Sequence, residues 1–240
     1  MYLVWDTGIQ PHQWRRDSPG TTDTHIGEIA AMARTNYQHR KIQNELRARI
    51  FLAPLDSPLV FRETDLAKEF GVSRTPIRQI LQGLAHEQLV ETQTGVGTVL
   101  TDLRPQDRER DLAVFSQIAL AASRVPGNLI TYEIMTRILG LAQMFEPEDN
   151  RDLKLFISLA AESAEATSQI ISDPILADAL AASRWRVIRW RIRDFHDNEE
   201  AFWVKTIRSF QRTASAVRTR DASHYLETIA DAVADFKSPV

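Results

Sequence analysis

From residue 37 onward, apolar side chains recur at helical spacing, broken once by a short stretch patterned for strands. Tyr37, Ile42, Leu46 and Ile50 fall four or five residues apart and predict a helix that Pro54 and Pro58 end. Thr64 is placed to cap a second helix carrying Leu66, Ala67 and Phe70. Gly71 closes it, as glycine commonly does just past a last turn. Ser73 is placed to cap a third helix, with Pro76 in the first turn, where a missing N–H costs nothing. Ile77, Ile80, Leu81 and Leu84 form the apolar stripe of that helix. After Glu87 the period changes. Residues 89–92 and 98–101 are β-prone runs on either side of Thr94-Gly95-Val96-Gly97, which predicts a hairpin with a glycine-rich turn.

Residues 1–22 hold no sustained period and are punctuated by Pro11, Pro19 and Gly20, so they read as a tail. Trp5 and Trp14 suggest that part of it docks on the body, and Thr24 is placed to cap a short helix through Ile29 and Met32. The polar run DLRPQDRER at 102–110 reads as a linker. Beyond it, helical patterns fill 112–122, 131–145, 152–171, 173–195, 199–218 and 221–236, with breaks at Pro126-Gly127, Pro147 and Asp197-Asn198. Asp173 before Pro174 is a helix-start pair, and Asp221 is another cap. The expected fold is mainly α: a winged helix-turn-helix of three helices and a two-stranded wing, followed by an all-α helical bundle. The expected division is an N-terminal extension at 1–35, the winged helix at 36–104 and the bundle at 105–240.

Composition narrows the classes. There are no cysteines, which removes disulfides, thiolate metal sites and cysteine nucleophiles and fits a reducing cytoplasm. No apolar run is long enough to cross a bilayer, and the first residues lack the apolar core of a secretory signal, so a cytoplasmic location is expected. The net charge is −3, and residues 36–104 carry nine Lys/Arg against eight Asp/Glu. Bulk charge therefore makes no case for nucleic acid. Only the placement of particular arginines can.

That placement is specific. In a helix-turn-helix the second helix of the motif enters the major groove and its N-terminal residues reach base edges. Here that end carries Ser73, Arg74, Thr75 and Arg78. The two arginines are four apart and share a face. Guanidinium is suited to bidentate contact with guanine or phosphate, and the helix start presents free N–H groups. A glycine at the wing tip lets backbone approach the sugar-phosphate edge. The string LAKEFGVSRTPIRQILQGLAHEQLVETQTGVGTVL resembles the DNA-binding domain of the GntR family of bacterial repressors and activators, and the likeness extends over residues 42–100. It implies DNA contact at Thr64, Ser73, Arg74, Thr75, Arg78, Thr94 and Gly95. Two departures stand out: the family often has Pro-Gly near Asp56-Ser57-Pro58, and Glu where Gln79 stands.

An all-helical domain behind such a reader resembles the FadR-like branch of that family, with Asp173-Pro174-Ile175-Leu176 as the best local match. The resemblance implies a bundle that dimerises and binds a small metabolite, often a carboxylate. Many members hold a metal with one Asp and three His. After residue 100 this chain has only His196 and His224, and sliding the pattern along puts Ala160, Ala164, Phe210 and Ala232 at the expected positions. No metal site and no cofactor is expected, and both histidines are expected at the surface. Arg184, Arg186, Arg189, Arg191 and Arg193 crowd one helix with an apolar stripe of Trp185, Ile188, Ile192 and Phe195. Most should face solvent or pair with helix neighbours. Arg189 and Arg193 are the candidates for an anionic ligand.

No nucleophile–base set, GxxxxGK[ST] string or helix-opening GxGxxG is present, so no enzymatic activity is expected. Three functions stay open: a ligand-responsive regulator acting on a duplex operator as a homodimer, a regulator whose bundle only dimerises, and a winged helix that docks a protein.

Overall fold

The computed structural model describes residues 21–53, 59–145 and 151–236, with side chains from residue 35 onward except residue 36. The expectations for Trp5 and Trp14 and for the breaks at Pro54, Pro58 and Pro147 lie outside the described residues, whereas Thr24, expected as a cap, falls inside a helix that already begins at Thr21. The chain forms two compact units, Met1–Arg40 and Lys41–Val240. In the first, the described backbone is helical. A single helix α1 spans Thr21–Leu52, where two were expected.

In the second unit, β1 (Val60–Phe61) precedes α2 (Glu63–Phe70) and α3 (Arg74–His86), then β2 (Val90–Gln93) and β3 (Gly97–Leu100). The sheet is antiparallel with order β1-β3-β2. Val60 pairs with Val99 and Phe61 with Thr98, so the wing has a third strand beyond the expected hairpin. Two residues are too short to show a period. Gly97 makes the extra pairing possible: a Cβ there would meet the Phe61 carbonyl oxygen at 2.9 Å. Ile42, Leu46 and Ile50 pack with Leu66, Ile77, Ile80, Leu84 and Leu89 as the core beneath the sheet. Each such side chain, fully buried, contributes about 1.5–3 kcal/mol of transfer free energy.

The bundle follows as α4 (Arg108–Ser123), α5 (Tyr132–Gln143), α6 (Leu153–Ser168), α7 (Pro174–Asp197), α8 (Glu199–Arg218) and α9 (Ala222–Ala232), closed by a 3-10 turn at Val233–Phe236. Helix starts follow the side chains. Asp173 accepts from the Leu176 N–H and Asp221 from the His224 N–H, as expected, and Asp152, Thr131 and Asn198 do the same for α6, α5 and α8. Helix α7 packs against α4, α6 and α8. Its stripe of Trp185, Ile188 and Ile192 joins the same apolar cluster as the winged-helix core, with Phe51 stacked on Trp185 at 5.7 Å. A second cluster, built on Leu112, Phe115, Ile138, Tyr225 and Leu226, holds α4, α5 and α9 together.

The expected linker is mostly structured. Pro105–Asp107 is a 3-10 turn, and α4 already begins at Arg108. The Arg108 guanidinium makes two 2.7 Å hydrogen bonds to the Asp194 carboxylate and another, of 2.8 Å, to the Phe236 carbonyl.

Candidate nucleic-acid interface

Helix α2 ends on Gly71, whose φ of +64° is the left-handed turn that glycine adopts without Cβ strain. Val72 N–H then donates to the Ala67 carbonyl at 3.0 Å and redirects the chain into α3. Ser73 occupies the N-cap position with extended backbone (φ −70°, ψ 167°), but its hydroxyl makes no capping hydrogen bond. Ser73, Arg74, Thr75 and Arg78 are all exposed at the start of α3, while Ile77, Ile80, Leu81 and Leu84 face inward. The helix thus presents one polar, hydroxyl- and guanidinium-bearing edge to solvent, with its first N–H groups free of side-chain caps.

Thr64 does not cap α2. Arg62 holds that position, and the helix starts at Glu63 because β1 brings the chain in two residues earlier than the apolar pattern shows. Thr64 is exposed in the first turn. The residue that sequence reasoning missed is Glu63. Its carboxylate accepts from Arg78 Nε and Nη2, both at 2.9 Å, and from Arg74 Nη2 at 3.2 Å. The Arg78 hydrogen bonds, followed by those of Arg74, lower the Glu63 pKa from 4.5 to about 2. Both guanidiniums stay open to solvent, with 60% and 56% of the side chains exposed, so the fork restrains them without hiding them. Eleven and fifteen residues separate the partners, and neither spacing is a helical neighbour distance.

Between α2, α3 and the wing lies a groove of about 470 Å³ lined by Glu63, Thr64, Arg74, Arg78, Thr92 and Thr98 among others. Thr94 and Gly95 are exposed at the hairpin turn, beyond this lining. Gly95 has φ +79°, and the Val96 N–H closes the turn on the Gln93 carbonyl at 3.1 Å. Helix end, groove and wing tip bring two guanidiniums and several hydroxyls onto neighbouring exposed elements.

Arg189 and Arg193 sit elsewhere. They line a cavity of about 750 Å³ with Arg104, His196, Phe51 and Val99. Arg189 donates to the Thr101 hydroxyl at 2.7 Å and to the Thr101 carbonyl at 2.8 Å, and Arg193 donates to the Leu103 carbonyl at 3.4 Å. They fasten the segment that joins wing to bundle. None of the five arginines of α7 is exposed, which corrects the solvent-facing part of that expectation, and their hydrogen-bond partners lie outside α7. The helix is packed on several sides, so even residues off its apolar stripe meet protein.

His196 and His224 are exposed, as expected. Ala160, Ala164, Phe210 and Ala232 are buried. Among the described residues no group of three or more His, Cys, Asp or Glu is placed to hold a metal, and no helix is long and apolar enough to cross a membrane.

Residues 38–100 match the family described as bacterial regulatory proteins, gntR family, a stretch that contains every residue of this surface. No curated protein matches the chain. Among solved structures, Escherichia coli McbR/YncC is 14% identical, over 82% of this chain and 93% of that one, with a TM-score of 0.61, and shares the fold. A putative transcriptional regulator GntR from Rhodococcus sp. RHA1 is 18% identical, over 83% of this chain and 97% of that one, with a TM-score of 0.49. The chain carries a GntR-type winged helix-turn-helix followed by a helical domain, and it is a DNA-binding transcriptional regulator.

Proposed function

We propose that this chain binds a duplex operator as a homodimer and that its bundle senses a small anionic metabolite, with residues 36–104 as the reader and 105–240 as the dimerising, sensing part. The observation that carries the DNA half is the pair Arg74 and Arg78, exposed on one edge at the start of α3 and flanked by the wing. Thr64, Ser73, Thr75, Thr94 and Gly95 complete the contact set. Base edges are read by guanidinium and hydroxyl, and phosphates by the helix start and the wing backbone.

One winged helix covers few base pairs, and specific operators are commonly read by two-fold dimers over paired half-sites. Leu129, Tyr132 and Ile175 are large apolar side chains left exposed on the bundle, which supports a second copy docking there. The reader shares its apolar cluster with α7, so a ligand would act by changing the spacing of two readers rather than by melting a linker. Such a ligand must favour one spacing over the other.

The test is selection of duplexes from a random-sequence pool by the purified chain, with its mass in solution measured alongside. The expected outcome is a two-fold symmetric consensus and a dimer mass. A strictly monomeric chain that enriches no sequence contradicts the proposal.

A further inference from the structure

The groove between α2, α3 and the wing is lined by three arginines, Arg62, Arg74 and Arg78, and by one acid, Glu63. Arg74 and Arg78 share that acid. Arg62 does not. Its side chain is exposed, and among the described residues it has no hydrogen bond, ion pair or ring contact. Of the other Lys and Arg in residues 36–104, only Lys41 and Lys68 are equally free, and neither lines the groove.

An exposed arginine without a partner is, by itself, an ordinary solvated side chain. Its place in the fold separates this one. Arg62 holds the N-cap position of α2 with extended backbone (φ −112°, ψ 127°), one residue after β1 ends. Strand β1 is paired to the wing, with Phe61 opposite Thr98. The Arg62 stem lies beside the same wing strand: its Cγ is 3.7 Å from the point where a Cβ on Gly97 would sit. The side chain therefore occupies the corner where the first helix of the motif meets the wing. In a helix-turn-helix that first helix crosses the phosphate backbone, while the front of the second reaches base edges. A duplex seated on α3 thus brings phosphates, not bases, to this corner.

Local charge gives the corner a task. Glu63 and Asp65 both stand in the first turn of α2, and residues 36–104 carry nine Lys/Arg against eight Asp/Glu. A phosphate approaching α2 meets those carboxylates. Arg74 and Arg78 must also release part of their bonding to Glu63 before they answer a phosphate. Arg62 has nothing to release. We infer that Arg62 is a further DNA contact, a phosphate clamp that adds affinity for any duplex and no preference among sequences. The inference rests on α3 being the helix that enters the groove.

The purified full chain and its Arg62→Ala and Arg62→Lys variants are titrated with a duplex that the wild type selects and with a scrambled one, across a range of salt concentrations. Arg62→Ala should bind both duplexes more weakly by the same factor, about three- to tenfold, and its slope of log affinity against log salt should be shallower by about one. Preference for the selected duplex and melting temperature should stay as in the wild type. Arg62→Lys should restore affinity and slope, because a phosphate accepts a point charge whereas a bidentate base contact needs the guanidinium fork. Unchanged affinity and slope in Arg62→Ala, a loss confined to the selected duplex, a lysine variant as weak as the alanine one, or a melting temperature low enough to unfold the variant in the assay overturns the clamp. A wild type that binds no duplex removes the reader itself, whereas those other failures remove Arg62 alone.

Discussion

Helix α3 and helix α7 use the same side chain in opposite settings. Arg74 and Arg78 stand in water, share one exposed carboxylate, and can exchange it for a phosphate or a guanine edge at little cost. The arginines of α7 are withdrawn from water and are held by a backbone carbonyl, a hydroxyl, an aromatic face or a buried acid. Surface guanidiniums are available for a large polyanion. Interior ones act as struts between elements. The difference is one of solvation and counter-ions, and it can be broken or sharpened by substitution.

The largest effect is expected where an interior pair loses its acid. Asp194→Ala leaves the Arg108 guanidinium buried without its counter-charge and should cost about 3–5 kcal/mol in urea unfolding. Next comes the surface pair. Arg74→Ala should lose about 1–3 kcal/mol of specific operator binding, read by gel shift, while its melting temperature stays close to wild type. Arg189→Met should cost about 1 kcal/mol and, more tellingly, speed amide exchange around Thr101, because the strut on that carbonyl is gone.

The smallest effect concerns Glu63. Glu63→Gln removes an exposed pair and should change stability by less than about 1 kcal/mol. Its pH dependence has a definite sign. The folded pKa is below the unfolded one, so the pair's contribution is complete above about pH 4.5 and disappears as pH falls toward 2. Melting curves of wild type and Glu63→Gln should therefore converge across that window.

Local chemistry was legible along the chain. Gly71, Asp173 and Asp221 end or start helices as their residue types dictate, and α8 runs from Glu199 to Arg218, the limits that its pattern predicts. The exposed edge of α3 could be read because period and polarity are properties of neighbouring residues. What could not be read depends on contacts distant in sequence. Strand β1 is two residues long and exists only through pairing with β3. Glu63 acquires its role from residues eleven and fifteen positions away. The α7 arginines were expected in solvent or paired with helix neighbours because a single helix shows its own stripe but not how many other helices surround it. Which group each of them meets is visible only once the surrounding elements are in place.

The central claim is that the exposed arginine pair reads DNA. The most direct measurement is the affinity of wild type and of the Arg74→Ala/Arg78→Ala double variant for a selected duplex and for a scrambled one, across a range of salt concentrations. The account predicts that wild-type affinity falls linearly on logarithmic axes and favours the selected duplex. The double variant should lose that preference and show a shallower slope. Equal affinity, preference and slope for both proteins would contradict it.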